Sequence, residues 1–180
     1  HEPALLVLFQ PAQRKIQGFH EHPARPISAP VIGLQHLQIK AFGINHAEMH
    51  MRRGEWAEAA PVSGIECVGL VKSCPGGEFP VGAKVAALMG GLGRTINGSY
   101  AEYTRAPATN VTLIDADLPW AELAAIPETF ATAWTCLFRS LNIEQGQLLV
   151  IRGGMSSFGQ AATKLAVNAG VRVIATTRSQ

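Results

Sequence analysis

The sequence predicts a mixed α and β fold, in which a β-rich barrel is followed by the first βαβ unit of a doubly wound parallel sheet. Short apolar runs separated by Gly and Pro occupy the first two thirds of the 180 residues, as in a barrel or a sandwich. After Pro119 the apolar residues recur instead at helical spacing. Two continuous apolar runs, 147–151 and 171–175, then flank one helical segment, an order typical of a βαβ unit.

The N-terminal third predicts loops, a strand and a short helix. Residues 1–35 contain several prolines and no sustained hydrophobic period, so loops with a strand or two are expected there. Residues 38–44 alternate between apolar and polar side chains, which predicts a half-buried strand. A helical turn is predicted from Asn45, a favourable N-cap residue, to Arg53 and Gly54.

The rest of the chain changes from strands to helices. Strands are predicted over 64–72, within 81–88, over 99–105 and over 110–114, with a turn at 75–77. Helices are predicted over 120–125 and 127–141, and a third between the small-residue turn at 153–159 and Gly170. The runs 147–151 and 171–175 are predicted as strands of the kind that is buried on both faces of a parallel sheet, and with only two strands they are expected to leave exposed edges and surface.

Composition and charge exclude several classes of protein. The 15 basic and 13 acidic residues leave a net charge of +2, too balanced to indicate nucleic acid or an anionic membrane as a partner. No run approaches the roughly 20 apolar residues needed to span a bilayer, and the N-terminal run is too short for a signal core. The three cysteines lack CxxC spacing, which favours a reduced, cytoplasmic protein over a disulfide scaffold or a zinc finger.

Histidine spacing predicts no metal site. His46 and His50 are four residues apart and so lie on one face of the predicted helix. Glu48 stands one position too late for an HExxH motif, and His20 and His22 have no third ligand near them in the sequence. Solvated histidines are the favoured interpretation, and no metal ligand is assigned.

The turn between the first parallel strand and its helix is the strongest candidate for a ligand site. It reads Gly153-Gly154-Met155-Ser156-Ser157-Phe158-Gly159. A small-residue turn in this place aims helix N–H groups at a phosphate, although its spacing departs from GxGxxG. The two serine hydroxyls can either cap the helix or donate to a pyrophosphate. A purely structural turn with a serine cap is the alternative, and the motif alone does not decide between them.

The tip of the second parallel strand favours NADP(H) over NAD(H). Thr176, Thr177 and Arg178 stand where the adenosine ribose lies in a doubly wound dinucleotide site. Hydroxyl and guanidinium donors suit a 2′-phosphate, whereas NAD sites commonly carry a carboxylate at this position. An exposed arginine on a loop is the alternative interpretation.

Further short segments complete a recognisable series. They are Ile39–Asn45 with Glu48, Arg52 and Gly54 after it, Gly64–Gly69, Val81–Val85, Gly98–Tyr103 and Thr132–Trp134. In this order, ending in the βαβ turn, they resemble the medium-chain dehydrogenase/reductase superfamily, particularly its zinc-independent quinone-oxidoreductase-like branch. The resemblance implies a GroES-like catalytic domain over residues 1–125, matched poorly before 36, and the start of a Rossmann domain over residues 126–180.

The resemblance also implies which residues bind the cofactor in the cleft between the two domains. Asn45 and Thr132 are expected at the nicotinamide-ribose end; Gly153, Gly154, Ser156, Ser157 and Phe158 at the pyrophosphate; Thr177 and Arg178 at the 2′-phosphate. The alternatives are a helix cap for Asn45 and a hydroxyl bonded to its own helix backbone for Thr132. Because some relatives have Tyr where His50 stands, His50 is a candidate proton donor, with water as the favoured alternative.

The implied activity is NADPH-dependent reduction of a quinone, an enone or a related conjugated carbonyl, in a homodimer or tetramer. Zinc-dependent relatives place Cys at the position of Asn45 and His at that of Ile65, so a tetrahedral zinc site lacks those ligands here. A doubly wound domain needs about six strands, and this sequence contains two. We therefore expect the front half of a larger oxidoreductase. A zinc-dependent alcohol dehydrogenase and an inactive GroES-like fragment acting in assembly remain open as alternatives.

Overall fold

The computed structural model describes residues 7–8 and 33–177, which form an antiparallel β unit followed by a parallel βαβ unit. The strands of the antiparallel unit are β1 (Val7–Leu8), β2 (Leu34–Phe42), β3 (Glu66–Ser73), β4 (Lys84–Leu88), β5 (Tyr103–Pro107) and β6 (Val111–Leu113). They pair in the order β1-β2-β3-β4-β6, and β5 joins the N-terminal half of β2. All of these pairings are antiparallel.

Strand β2 is the centre of this sheet because it pairs with β3 on one edge and with β5 and β1 on the other. Two register shifts against β3, at 36/37 and 39/41, bulge the strand, and bulges increase local twist. Gly69 lets β3 approach closely, since a Cβ there would clash with the carbonyl oxygen of Gln38. The curled sheet encloses a core of apolar side chains, which includes Leu37, Ile39, Phe42, Val71, Val85 and Leu92.

Helix α1 (His46–Arg52) follows β2 where the sequence predicts it. Asn45 is its N-cap residue, with extended backbone at φ −119° and ψ 155°. The helix ends at Arg52, two residues before Gly54, whose φ of +72° is incompatible with an α-helix. This short helix holds Glu48 and Met51 against the sheet, and both are buried.

The second unit begins with two short helices and ends in a parallel pair of strands. Its elements are α2 (Trp120–Ala124), α3 (Pro127–Trp134), a π-helical segment (Thr135–Ser140), β7 (Leu148–Arg152), α4 (Ser157–Asn168) and β8 (Arg172–Thr176). Strands β7 and β8 pair in parallel, with α4 as the crossover between them, so the predicted βαβ unit is confirmed. Helices α3 and α4 share one core with the strands, formed by Ala133, Leu137, Ile151, Ala161, Ala162, Ala166 and Val171.

Helix α2 connects the second unit to the curled sheet. Leu123 and Ala124 pack with Ala41 of β2 and Val68 of β3 in a third, smaller core. The start of α3 therefore lies next to the sheet, and this position matters for the site described below. The predicted domain boundary after residue 125 stays a prediction.

Three predicted elements differ from the observed ones. The strand predicted over 38–44 begins at Leu34 and ends at Phe42. The strand predicted over 99–105 begins at Tyr103, because the residues before it pair with an earlier loop: the amides of Gly98 and Tyr100 donate to the carbonyl oxygens of Val62 and Ser63. The helix predicted over 127–141 is α-helical to Trp134 and π-helical beyond it. Apolar spacing does not distinguish one wide turn from an α-helical turn.

The parallel strands are covered on one face. Helix α4 covers the face that carries Ile151, whereas the opposite face exposes Leu148, Val150 and Ile174 to 53%, 59% and 50%. The exposed face agrees with the surface that the sequence predicts these two strands to leave uncovered. Within the described ranges, no helix is long and apolar enough to cross a membrane.

Candidate functional site

The turn after β7 is tied directly to the end of β8. Gly153 has a φ of +74°, and its N–H group and that of Gly154 both donate to the carbonyl oxygen of Thr176, at 3.0 and 2.9 Å. A Cβ on Gly154 would press against the side chain of Ala175. The turn and the tip of the second strand thus form one surface, as the sequence predicts.

The hydroxyl group of Ser156 caps helix α4. Its Oγ accepts a hydrogen bond from the amide of Gly159 at 3.0 Å and donates one to the carbonyl oxygen of Gly153 at 2.8 Å. Both functions of the hydroxyl are used within the turn, so of the two roles left open by the sequence, the structure shows the cap. Ser157 is the first residue of the helix and is half-buried.

Small residues leave the start of α4 accessible to a ligand. A Cβ on Gly159 would clash with the carbonyl oxygen of Gly153, so only glycine allows the turn to pack this closely on the helix. The amides of Ser157 and Phe158 belong to the first helical turn, where N–H groups have no acceptor within the helix. Together with the partial positive charge of a 12-residue helix, these donors fit a phosphate group.

A cavity of about 310 Å³ opens beside this turn. It is lined by Gly154, Met155, Gln160, Thr163, Lys164, Ala175, Thr176 and Thr177. Thr177 lines this cavity, whereas Arg178 lies outside the described residues. Lys164 adds a cation that the sequence analysis did not single out. Its spacing of four from Gln160, on one face of α4, is the pattern that could have found it.

A second group of polar side chains lies between the curled sheet and α3. Asn45 donates from Nδ2 to Oε1 of Glu66 at 2.8 Å, and the amide of Glu128 donates to Oε2 of the same carboxyl group at 2.8 Å. Thr132 in turn donates from Oγ1 to Oε1 of Glu128 at 2.7 Å. The structure thus brings Asn45 and Thr132, which are 87 positions apart by their numbers, to the two ends of one hydrogen-bonded chain.

Neither alternative role suggested for these two residues describes them fully. Asn45 is the N-cap residue of α1, but its side-chain amide also bonds across to Glu66. The Thr132 hydroxyl bonds a side chain one turn earlier and not its own helix backbone. The side chain of Thr132 is exposed, so its oxygen can also contact a ligand.

Glu66 is the centre of this group and is almost completely buried, at 3% exposed. Its carboxyl group fills the space left by Gly43, where any Cβ would clash with Oε1. Burial raises the pKa of Glu66 from 4.5 to about 7, and hydrogen bonds from Asn45 and Glu128 act against this increase. The sequence contains Glu66 as one of the resemblance marks, but no sequence pattern pointed to Glu128.

Glu48 supports the same site from α1. Its carboxylate accepts from the amides of Asn45 and Ile65, the latter at 3.1 Å, and from the hydroxyl of Tyr100 at 3.1 Å. The bond to Asn45, three residues earlier, is the reciprocal half of a capping box. Burial raises the pKa of Glu48, although these hydrogen bonds favour its charged form. The loop before β3 is thereby held to the start of α1.

His50 lies on the exposed side of α1, with Nδ1 paired to the carboxylate of Glu55. Both side chains are almost half exposed. With Nδ1–H donated to Glu55, the ring's Nε2 is available to solvent or to a ligand. No contact joins His50 to the Asn45–Glu66–Glu128–Thr132 chain among the hydrogen bonds of the described residues.

The two groups of predicted site residues share one scaffold. Helix α3 carries Thr132 and packs through Ala133 on α4, whose first turn follows Ser156. No group of three or more His, Cys, Asp or Glu side chains could hold a metal ion in the part of the chain that the structure describes.

A protein-family model and a longer relative match parts of this chain. Residues 34–116 match the family model of the alcohol dehydrogenase GroES-like domain. Over 149 residues the chain is 31% identical to the compactin diketide synthase of Penicillium citrinum, an alignment covering 80% of the chain and 6% of the synthase. The chain is thus similar to one small part of a much longer protein.

Solved structures resemble both units together. An alcohol dehydrogenase superfamily protein from Novosphingobium aromaticivorans superposes with a TM-score of 0.79 at 30% identity, over 88% of this chain and 49% of that protein. A mycobacterial protein solved in complex with NADPH gives 0.75 at 26%, over 88% and 48%. An NAD-dependent alcohol dehydrogenase gives 0.76 at 29%, over 86% and 53%. The chain spans about half the length of these structures.

Proposed function

Because the chain belongs to the medium-chain dehydrogenase/reductase superfamily, we propose that it is part of an NADPH-dependent reductase of conjugated carbonyl compounds. The observation that carries the proposal is the turn from Gly153 to Gly159. There the helix cap, the close glycine packing and the first-turn amides of α4 suit a pyrophosphate. Quinones and enones are the substrate classes proposed, since both accept hydride at a carbon conjugated to a carbonyl group.

In this proposal the cofactor supplies the hydride when it is bound, and the chain supplies orientation and a proton path. The amides of Ser157 and Phe158 would hold the pyrophosphate, with Gly153 and Gly154 allowing close approach. Asn45 and Thr132 would contact the nicotinamide-ribose end. An enone takes hydride at its β-carbon and one proton at the carbon next to its carbonyl group, whereas a quinone takes its proton on oxygen. The proton comes from water, or from Nε2–H of His50 when both ring nitrogens carry a proton.

The preference for NADPH over NADH rests on the charge near the tip of β8. Lys164 and Thr177 line the cavity beside the turn, and Arg178 follows Thr177 in the sequence. The eight residues that line this cavity include no Asp or Glu, so they contain no carboxylate to repel a 2′-phosphate. A relative solved with NADPH supports the same assignment, whereas another is named as NAD-dependent.

We also propose that the reaction needs no catalytic zinc. Asn45 and Ile65 occupy the positions where zinc-dependent relatives carry Cys and His, and neither side chain offers thiolate or imidazole. The amide of Asn45 is bonded to Glu66. The amide at position 45 and the alkyl side chain at position 65 therefore do not fit a tetrahedral zinc site.

Among conjugated carbonyls, the relatives favour an α,β-unsaturated acyl thioester as the substrate. The diketide synthase that the chain resembles is named for a ketide product. A thioester carbonyl conjugated to a C=C bond activates its β-carbon toward hydride in the same way as an enone.

We propose that the protein acts in the cytoplasm as a homo-oligomer, with the domains divided after residue 125.

Titration of the protein at its natural length with NADPH and NADH tests the proposal. We expect NADPH to bind with an affinity on the order of micromolar and to be oxidised by crotonyl thioester, an enone or a quinone. No fluorescence or calorimetric signal at millimolar NADPH would sink the proposal. Stoichiometric zinc in the purified protein would contradict the zinc-free mechanism.

A matched pair of variants tests the 2′-phosphate assignment. Arg178→Ala should weaken NADPH binding by about tenfold and leave NADH binding unchanged, because a charge-assisted contact contributes roughly this much. Arg172→Ala, at the opposite end of β8, should change neither affinity. Equal losses for both cofactors in Arg178→Ala would contradict the assignment.

A further inference from the structure

The geometry points to Glu66 as a positioning residue, which orients the Asn45 amide and the first turn of α3 for the nicotinamide end of the cofactor. This inference rests on the proposed function. It concerns a side chain that lies behind the surface on which the cofactor would sit, and it does not require Glu66 to touch the cofactor.

The first observation is that the two oxygens of the Glu66 carboxyl group accept hydrogen bonds from different structural units. Oε1 accepts from Asn45 at the start of α1, and Oε2 accepts from the Glu128 amide at the start of α3. One planar group therefore links the start of α1 to the start of α3, the helix that contributes Ala133 to the core of the βαβ unit.

The second observation is the confinement of the carboxyl group. Gly43 leaves the space that Oε1 occupies, and a Cβ at this position would also lie 3.2 Å from the carbonyl oxygen of Ala124. A side chain that is 3% exposed and bonded at both oxygens has little freedom to take another rotamer. Glu66 thus has the rigidity that a supporting residue needs.

The third observation is that the series of hydrogen bonds continues from Glu66 through Glu128 to Thr132. Glu66 fixes the backbone of Glu128, and the Glu128 side chain then accepts the Thr132 hydroxyl. A displacement at Glu66 would therefore move both proposed cofactor contacts together. In substrate and cofactor positioning, errors of about 1 Å cost on the order of a hundredfold in rate.

Several titratable groups face Glu66. Glu48 approaches from α1 and Glu128 from α3, and both disfavour its charge. Cys67 is its neighbour in β3, and burial together with Glu66 raises the pKa of that thiol to about 12. Tyr100 is bonded to Glu48 and has its own pKa raised, chiefly by burial. The carboxyl of Glu66 is therefore the group of this cluster expected to change charge near neutral pH.

The test compares Glu66→Gln with Glu122→Gln in the protein at its natural length. Glutamine keeps the shape of the side chain but turns one oxygen into an NH₂ group, which faces a donor at Asn45 or Glu128. We expect Glu66→Gln to weaken NADPH binding and lower kcat/KM by about tenfold or more, with an unchanged circular dichroism spectrum. Glu122 is exposed on α2, and its variant should match the wild type.

The pH profile and a double-mutant cycle separate positioning from a general loss of stability. Wild-type NADPH affinity should change between pH 6 and 8, and this change should be absent in Glu66→Gln. Adding Asn45→Ala to Glu66→Gln should cost less than the sum of the two single effects, because Glu66 acts through Asn45. If Glu66→Gln does not fold, Glu66→Asp, one methylene too short to reach both donors, should show the same loss.

The possible failures are distinguishable. If the wild type binds NADPH, and Glu66→Gln binds NADPH and reduces substrate as well as the wild type at every pH, the positioning role is overturned and the proposed function stands. Fully additive effects of the two substitutions would also overturn it. If the wild type binds no NADPH, the proposed function fails and this inference fails with it.

Discussion

At Glu66, burial and hydrogen bonding act on the carboxyl group in opposite directions. Removal from water disfavours the charged form, and the nearby Glu48 and Glu128 add to this effect. The donors from Asn45 and the Glu128 amide favour the charged form but only partly offset it. The result is a pKa of about 7 in the folded chain against 4.5 when the side chain is solvated.

This raised pKa predicts how the free energy of unfolding changes with pH. Because the folded state binds the proton more tightly, the stabilising contribution is fully present below pH 4.5 and is lost as the pH rises through 7. The difference in unfolding free energy between wild type and Glu66→Gln should therefore change by about 3 kcal/mol over this range. Urea unfolding at several pH values measures it.

The control for this measurement is Glu122→Gln, which should follow the wild type at every pH. Glu48 also has a raised pKa, and its contribution cancels in the difference between wild type and Glu122→Gln, which retain the same Glu48–Glu66 pair. Parallel curves for wild type and Glu66→Gln would contradict the assignment of the shift to Glu66.

At the scale of the element, α4 depends on its first turn. Its N-cap is a serine whose hydroxyl accepts the amide of Gly159 and donates to Gly153, so the cap also closes the turn. The adjacent Ser157 lies inside the helix. Two adjacent serines therefore differ in what they contribute to the stability of α4.

We expect Ser156→Ala to lower the free energy of unfolding by about 1 kcal/mol, as is typical for loss of an N-cap. Ser157→Ala should change it by less than about 0.5 kcal/mol, since alanine is the better helix former and no cap is lost. Thermal or urea unfolding of the two variants measures the difference. Equal effects of the two substitutions would show that Ser156 does not act as the cap.

At the scale of the whole molecule, the two units differ in how completely they are covered. The curled sheet encloses its core, whereas the face of β7 and β8 opposite α4 exposes Leu148, Val150 and Ile174. Apolar side chains on adjacent parallel strands form a continuous patch, and such patches favour association. The strand edges add unpaired backbone groups.

We therefore expect the 180-residue polypeptide alone to associate in a concentration-dependent manner. Replacing Val150 and Ile174 together by Lys should shift it toward monomer in sedimentation velocity, because two charges then repel across the patch. Val81→Lys is the matched control, since Val81 is 70% exposed but lies outside this sheet. A monomeric wild-type polypeptide at high concentration would contradict the expectation.

Much of the fold follows from short-range patterns. Apolar alternation predicted β2, and continuous apolar runs with a small-residue turn between them predicted the βαβ unit. The cap at Asn45 was also predictable, and the cap of α4 could be narrowed to two adjacent serines, because capping involves residues within three or four positions of each other. The start of β5 was not, because it depends on pairing between loops more than 30 residues apart.

The amino-acid order alone therefore decided the class of fold, the place of the small-residue turn before α4, and the absence of Cys at position 45 and of His at position 65. Tertiary structure decided which hydroxyl caps α4, which strand face is exposed, and that Asn45 reaches Thr132 through Glu66 and Glu128. The physical reason is distance along the chain. Periodicity and capping are encoded by neighbouring residues, whereas a buried carboxyl group acquires its partners and its raised pKa only when separate elements pack around it.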